Sequence, residues 1–147
     1  MAGRNSRQLK VLVDSDVIFD FISARLPYYN EAKRLFILAE QGLIDVVTLP
    51  HLVINVWQIR GHMKIKNQAM YSSLGQLLTV IQILDEPSTA ITNAIMVKSS
   101  DFEDWVTVEC AMIHDLDSII TRNAKHFKRS PVSVYTPTDF IRNFSFR

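Results

Sequence analysis

Short apolar runs rich in Val and Ile alternate along the chain with longer stretches in which apolar residues recur every three or four positions. The short runs are typical of buried strands, and the longer stretches predict amphipathic helices. Strands are expected at about 10–13, 43–49, 80–84, 118–121 and 132–135. Helices are expected at about 16–25, 30–41, 50–63, 67–78, 87–98, 101–114 and 137–144, with a turn or short helix at 124–127.

This alternation favours an α/β fold, namely a three-layer α/β/α domain with a parallel sheet of about five strands. The pattern does not determine the order of the strands. No repeat, linker or low-complexity segment interrupts the chain, so residues 1–147 are expected to form one domain with a frayed N-terminus at 1–8. Helix caps are predicted at Asn67, at Ser88 and at the capping box of Ser100 and Glu103.

Composition narrows the class of protein. The 48% hydrophobic content of 147 residues is that of a globular protein with a sizeable core. Sixteen Lys and Arg against fifteen Asp and Glu leave a net charge of +1, so any attraction to nucleic acid must come from local patches. The single cysteine, Cys110, excludes an internal disulfide. We expect no signal peptide and no membrane span, and therefore a cytoplasmic protein.

Polar side chains gather at predicted strand ends and helix starts. They are Asp14 with Asp16, Asp101 with Asp104, and Thr121 with Asn123. Because the carboxyl ends of parallel strands lie along one edge of a sheet, these groups can converge. Clustered carboxylates repel one another and usually need a cation between them. Hard oxygen ligands suit Mg²⁺ or Mn²⁺, which can activate water for attack on a phosphodiester.

Other site chemistries find no support in the sequence. No His and Cys set has zinc spacing, no glycine-rich phosphate loop occurs among the four Gly, and no Ser-His-Asp arrangement is evident. Asn55 falls on the apolar stripe of the third predicted helix, between Leu52 and Ile59. A buried amide needs a hydrogen-bond partner, so Asn55 either serves the core or faces a polar cavity.

Three stretches together resemble the PIN-domain ribonucleases, in particular the VapC-like toxins of bacterial toxin–antitoxin pairs. They are Leu12–Asp20, Asp101–Trp105 with the helix that follows, and Ile119–Phe127. The resemblance implies a five-stranded parallel sheet, a Mg²⁺ or Mn²⁺ site, and cleavage of RNA phosphodiesters by a metal-activated water. It also implies a homodimer and a small antitoxin protein that covers the acidic pocket.

The resemblance also implies roles for particular residues. Asp14 matches the first acid of the family and Asp104 the acid that opens the helix before the fourth strand, so these two are the expected metal ligands. Asn55 stands where the family has a glutamate, and Asn123 stands where it has its last acid. Each amide offers one neutral carbonyl oxygen, so both are expected to hold ligand waters or the outer shell of the ion. Support for the site is expected from Asp16, Asp101 and Thr121, and contacts to the RNA backbone from Arg60, Lys64, Lys66 and Lys125.

Three alternatives stay open. The two Asn replacements are compatible with a degenerate PIN domain that binds RNA or a partner without cleaving. Asp14-Ser15-Asp16-Val17 fits the opening motif of haloacid-dehalogenase phosphatases, but the acid pair expected after a late strand is missing. A response-regulator receiver also clusters acids on a five-stranded sheet, but the sequence around Asp85 lacks the expected pattern.

Overall fold

The structure is a computed structural model that describes residues 7–144. Its strands are β1 (Lys10–Val13), β2 (Asp45–Thr48), β3 (Gln82–Ile83), β4 (Ser118–Ile120) and β5 (Ser133–Tyr135). Its α-helices are α1 (Ser15–Ile22), α2 (Tyr29–Glu40), α3 (Pro50–Ile59), α4 (Asn67–Leu77), α5 (Ser88–Val97), α6 (Phe102–Ile113) and α7 (Pro137–Asn143). Short 3₁₀ helices follow α3 at Arg60–Met63 and β4 at Ala124–Phe127.

All five strands pair in parallel, in the order β3-β2-β1-β4-β5. The predicted α/β class with a five-stranded parallel sheet is therefore confirmed. β1 is the central strand, with β2 and β4 on either side. Val13 is paired with Ile120, so the residues that follow them, Asp14 and Thr121, come side by side at the carboxyl edge of the sheet.

Helices cover both faces of the sheet. Successive side chains of a strand point to opposite faces. Accordingly, Val11 and Val13 belong to a core cluster that includes residues of α1, α2, α4 and α7. Leu12 belongs to a second cluster, which includes residues of α5 and α6. The central strand is thus buried on both sides, as the apolar run before Asp14 predicts.

Several element boundaries differ from the sequence prediction. The third predicted helix divides into α3 and the 3₁₀ helix, and β3 is reduced to two residues. Helix α1 ends at Ile22, and Ala24 then adopts a positive φ of 53°. Of the N-terminal residues expected to be frayed, 1–6 lie outside the described range. Arg7 lies 2.5 Å from the Asp117 carboxylate, and Gln8 donates to the Gly42 carbonyl at 2.6 Å.

The predicted helix caps are wrong. Helix α4 is preceded by Lys66 and α5 by Pro87, and neither helix has a side-chain cap, so Asn67 and Ser88 are helical rather than capping. Helix α6 begins after Asp101, and the Ser100–Glu103 capping box does not form. Instead, Asp14 caps α1 by accepting from the backbone N–H of Ser15. Within residues 7–144, no helix has the length and hydropathy required to cross a bilayer.

Candidate active site

Asp14 lies at the centre of the carboxyl edge. Its backbone N–H donates to the Ile120 carbonyl at 2.9 Å, which extends the β1–β4 pairing by one residue. One carboxylate oxygen accepts from the Ser15 N–H and the other from the Thr121 hydroxyl, both at 2.8 Å. The side chain is only 6% exposed, and this burial raises its pKa despite the two hydrogen bonds. The backbone and Thr121 therefore hold Asp14 in one orientation.

Asp16 lies beside Asp14, and one of its two carboxylate oxygens accepts hydrogen bonds. Its Oδ2 accepts from the backbone N–H of Arg122 at 3.0 Å and from the Asn123 amide at 3.3 Å. Its Oδ1 is buried and has no hydrogen-bond partner within residues 7–144. Burial, followed by the charge of Asp14, raises the pKa of Asp16 to about 7. A buried carboxylate oxygen without a donor is costly, and a bound cation would remove that cost.

Asp20 and Arg122 fix the loop that follows β4. Asp20 is fully buried one helical turn after Asp16, and it accepts from Arg122 Nε at 2.5 Å and from a terminal guanidinium nitrogen at 3.3 Å. The Arg122 guanidinium also stacks on the Tyr28 ring, 4.0 Å from its centre. These contacts position the Arg122 N–H that binds Asp16. None of the three residues was expected at the site from the sequence, although Asp20 lies four residues after Asp16 on a helix and so predicts a shared face.

The start of α6 supplies a second set of acids. Asp101, Asp104 and His126 can place one ligand atom each within 4.8 Å of the others. His126 Nδ1 lies 3.3 Å from the Asp104 carboxylate. Burial raises the pKa of Asp104 to about 6, with the charge of Asp14 as the next cause. The carboxylates of Asp14 and Asp104 are therefore close enough to interact electrostatically.

Asn55 faces this second set of acids from α3. Its amide nitrogen donates to the Glu103 carboxylate, which links α3 to α6. The negative charge of Glu103 adds to burial in raising the pKa of both Asp14 and Asp104. Glu103 therefore places its carboxylate next to the amide of Asn55 on α3. From the sequence, Glu103 was expected only as part of a capping box.

A second polar pair joins the same two helices one turn earlier on α3. His51 Nε2 lies 3.3 Å from the Thr107 hydroxyl. On its other side, the Glu86 carboxylate accepts from the His51 backbone N–H at 2.5 Å and lies 2.8 Å from Nδ1. The two pairs, His51–Thr107 and Asn55–Glu103, tie α3 to α6 beside the acids.

The predicted basic residues lie in two places. Lys125 is in the 3₁₀ helix after β4, next to His126. Arg60, Lys64 and Lys66 follow the far end of α3, whose ten residues extend about 15 Å from the sheet edge. Arg60 donates to the Trp57 carbonyl at 2.6 Å and stacks on the Trp57 ring at 3.8 Å. Of the four predicted basic residues, Lys125 is therefore the one that directly precedes a residue of the acidic cluster, His126.

Comparison with known families agrees with this geometry. The chain matches the family model of the PIN domain over residues 10–125, and it therefore belongs to the PIN-domain family. This confirms the resemblance seen in the sequence and favours it over the phosphatase and receiver alternatives. No curated protein matches the sequence.

Solved structures of similar fold include VapC20 of Mycobacterium tuberculosis, described as a toxin that cleaves the sarcin–ricin loop. It is 16% identical with a TM-score of 0.59, over 74% of this chain and 86% of that one. VapBC2 of Rickettsia felis bound to promoter DNA is 19% identical with a TM-score of 0.58, over 86% and 97%. A toxin–antitoxin complex of Klebsiella pneumoniae is 21% identical with a TM-score of 0.59, over 86% and 97%. At these identities, the likeness shows a shared fold.

Proposed function

We propose that this protein is a metal-dependent endoribonuclease of the toxin–antitoxin type. The observation that carries the proposal is the convergence of Asp14, Asp16 and Asp104 at the carboxyl edge of a PIN-domain sheet. Burial and mutual repulsion raise the pKa of Asp16 and Asp104 far above that of an ordinary carboxyl group. Repulsion of this kind between neighbouring acids is typical of a site built for a cation.

The residues present fit Mg²⁺ or Mn²⁺. The donors are carboxylate oxygens, and Asp16 Oδ1 is buried without a partner in the described part of the chain. Asp14 and Asp104 would hold the ion, with support from Asp16 and Asp101. When bound, such an ion lowers the pKa of water and stabilises the charge that develops on a phosphodiester.

The chain's own side chains would orient these groups. Thr121 donates to Asp14 at 2.8 Å, which keeps that carboxylate turned toward the site. Asn123 donates to Asp16 at 3.3 Å, and Asn55 donates to Glu103. Both amides thus satisfy carboxylates around the site, where they would also bind ligand waters. Donors of this kind commonly change metal affinity or activity by about 10–100-fold when they are removed.

The experiment that tests the function is a cleavage assay with protein purified free of any partner. A panel of structured and single-stranded RNAs is incubated with Mg²⁺, with Mn²⁺ or with a chelator. We expect cleavage that requires the ion, is lost in Asp14→Asn, and is kept in Asp45→Asn, an exposed Asp at the opposite end of the sheet. Absence of cleavage in every metal, from folded protein, would contradict the proposal.

A small antitoxin and a second copy of the chain are the proposed protein partners. The structure of similar fold from Klebsiella pneumoniae is a toxin–antitoxin complex, which supports an antitoxin here. For the homodimer, the support is an apolar strip on α5, where Ile91, Ile95 and Met96 are 41%, 56% and 75% exposed. We expect Ile95→Lys with Met96→Glu to give a monomer by light scattering. An unchanged mass would contradict an interface at this strip.

A catalytically inactive PIN domain that binds RNA is the second candidate. The observation that favours it is the pair of neutral amides, Asn55 and Asn123, which lie among the acids and donate to them. This candidate predicts RNA binding that a chelator does not change, together with no cleavage in Mg²⁺ or Mn²⁺. The same assay, read beside an RNA-binding measurement, separates the two functions.

A further inference from the structure

A basic cavity of about 340 Å³ lies next to the acidic site. It is formed where the end of α5 and the start of α6 face the segment after β4. Four cationic residues, Lys98, Lys125, Lys128 and Arg129, contribute to its lining, and Trp105 forms part of its wall. We call this the basic cavity. Asp101 and His126 also line it, so it shares a wall with the acids at the start of α6.

The four cations have no ion-pair partner in the part of the chain that the structure describes. The salt bridges there involve Arg7, Arg34, Arg122, His51 and His126 instead. Lys98, Lys125, Lys128 and Arg129 are all exposed to solvent. In a chain whose net charge is only +1, four cations around one cavity, against the single lining acid Asp101, leave a local excess of positive charge.

Trp105 adds an independent observation. Its indole Nε1 is buried and has no hydrogen-bond partner among residues 7–144. The indole N–H can only donate, so it needs an acceptor oxygen to be satisfied. Trp105 also lines the basic cavity, whose cations make it complementary to an oxyanion.

We propose that the basic cavity binds a backbone phosphate of the RNA strand, next to the phosphate that is cleaved. This inference rests on the proposed function. Lys128 and Arg129 would neutralise the phosphate, beside the part of the wall formed by Trp105. His126 lies 3.3 Å from Asp104 and also lines the cavity, so the strand would pass directly from the cavity to the acids.

An RNA strand fits this arrangement better than an acidic peptide does. Both ligands carry negative charge that the four cations can neutralise, so it is the neighbouring acidic site that distinguishes them. An RNA strand would bring its next phosphate to the site proposed to act on phosphodiesters. Contacts to phosphates set the position and register of a strand without reading its sequence.

The test measures binding of a single-stranded RNA 12-mer in chelator, where the proposed cleavage cannot proceed. The double variant Lys128→Gln/Arg129→Gln is compared with Lys33→Gln, which removes an exposed cation on α2 outside the cavity. We expect the double variant to raise Kd about tenfold. The magnitude of its slope of log K against log salt should fall by about 0.7, the value for one single-strand phosphate that is no longer neutralised. Circular dichroism and thermal melting confirm that each variant is folded.

A second readout follows Trp105 directly. In a Trp57→Phe background, Trp105 is the only tryptophan, because the chain has two. We expect the 12-mer to change Trp105 emission, and we expect this change to be lost in Lys128→Gln/Arg129→Gln at the same RNA concentration.

The outcomes separate this inference from the proposed function. If the double variant binds RNA like Lys33→Gln, the phosphate subsite is overturned, even where wild-type protein cleaves RNA in Mn²⁺. If the binding pattern is as expected but wild-type protein never cleaves, the subsite stands and the nuclease proposal fails. If the wild type binds poly-glutamate but no RNA, the subsite is overturned in favour of an acidic protein partner.

Discussion

The two halves of the acidic site differ in what holds their carboxylates. In the strand-end half, Asp14 and Asp16 accept hydrogen bonds from backbone N–H groups and from the Thr121 hydroxyl, at 2.8–3.0 Å. In the helix half, Asp101 and Asp104 lie at the start of α6. The Asp104 carboxylate lies 3.3 Å from Nδ1 of His126, whose side chain is half-exposed. The register of β1 and β4 therefore places the first half, whereas side-chain rotation can adjust the second.

The two halves together form an acidic site although Asn55 and Asn123 stand where the family has acids. The strand-end half provides rigid, preoriented oxygens, which favours metal binding because little order must be gained on binding. The carboxylates of the helix half have fewer contacts to hold them, so we expect them to adjust toward an ion or a phosphate. Asn55 and Asn123 lie one in each half, and each donates to a neighbouring carboxylate.

The largest effect is expected from removing the rigid ligand. Asp14→Asn replaces a charged oxygen with an amide at the centre of the site. Loss of several kcal/mol of charge stabilisation in the transition state corresponds to about a 10³-fold loss of cleavage rate. Asp104→Asn should lose less, because the adjustable Asp101 can partly replace it. Single-turnover cleavage of one RNA measures both rates, and a larger loss in Asp104→Asn would reverse the assignment of the two halves.

An intermediate effect is expected from the hydroxyl that orients Asp14. Thr121→Val removes the 2.8 Å bond and leaves a buried carboxylate oxygen without its donor, at nearly constant volume. Metal affinity should fall about 10–100-fold. Thr121→Ser restores the hydroxyl and should recover most of that affinity, as measured by Mn²⁺ titration. Equal affinities in the Val and Ser variants would show that the bond does not orient Asp14.

The smallest effect is a pH dependence of stability without metal. The pKa values of Asp16 and Asp104 rise to about 7 and about 6 on folding from an ordinary value of 3.8, so the folded state holds these protons more tightly than the unfolded state. Stability from this source is present at low pH and is lost as the pH rises from about 4 to 7. The thermal midpoint in chelator should therefore decrease as the pH is raised from 5 to 7. Asp16→Asn should flatten the fall, and a midpoint that rises over this range would contradict the assignment.

Much of the fold could be predicted from the sequence. The run before Asp14 is apolar on both strand faces, and it is the central strand of the sheet. Strand order could not be predicted, because it depends on contacts between distant elements such as Val13 and Ile120. Helix caps were predicted wrongly, because Pro87 and Lys66 already provide the extended residue before each helix.

The site was only partly predictable for a related reason. Asp14, Asp16, Asp101, Asp104, Thr121 and Asn123 could be expected to converge, because strand ends and helix starts share one edge. Glu103 and Arg122 could not be assigned in the same way. Their positions depend on side-chain contacts with Asn55 and Asp20, which only the packed structure reveals.

The most direct test of a single metal site shared by both halves is a Mn²⁺ titration, followed by electron paramagnetic resonance, of wild-type protein, Asp14→Asn and Asp104→Asn. If the two halves hold one ion, each substitution should weaken binding at least about tenfold, with Asp14→Asn the weaker of the two. Asp45→Asn serves as the matched surface control. Wild-type affinity in Asp104→Asn would contradict a shared site and leave the strand-end half as the metal centre.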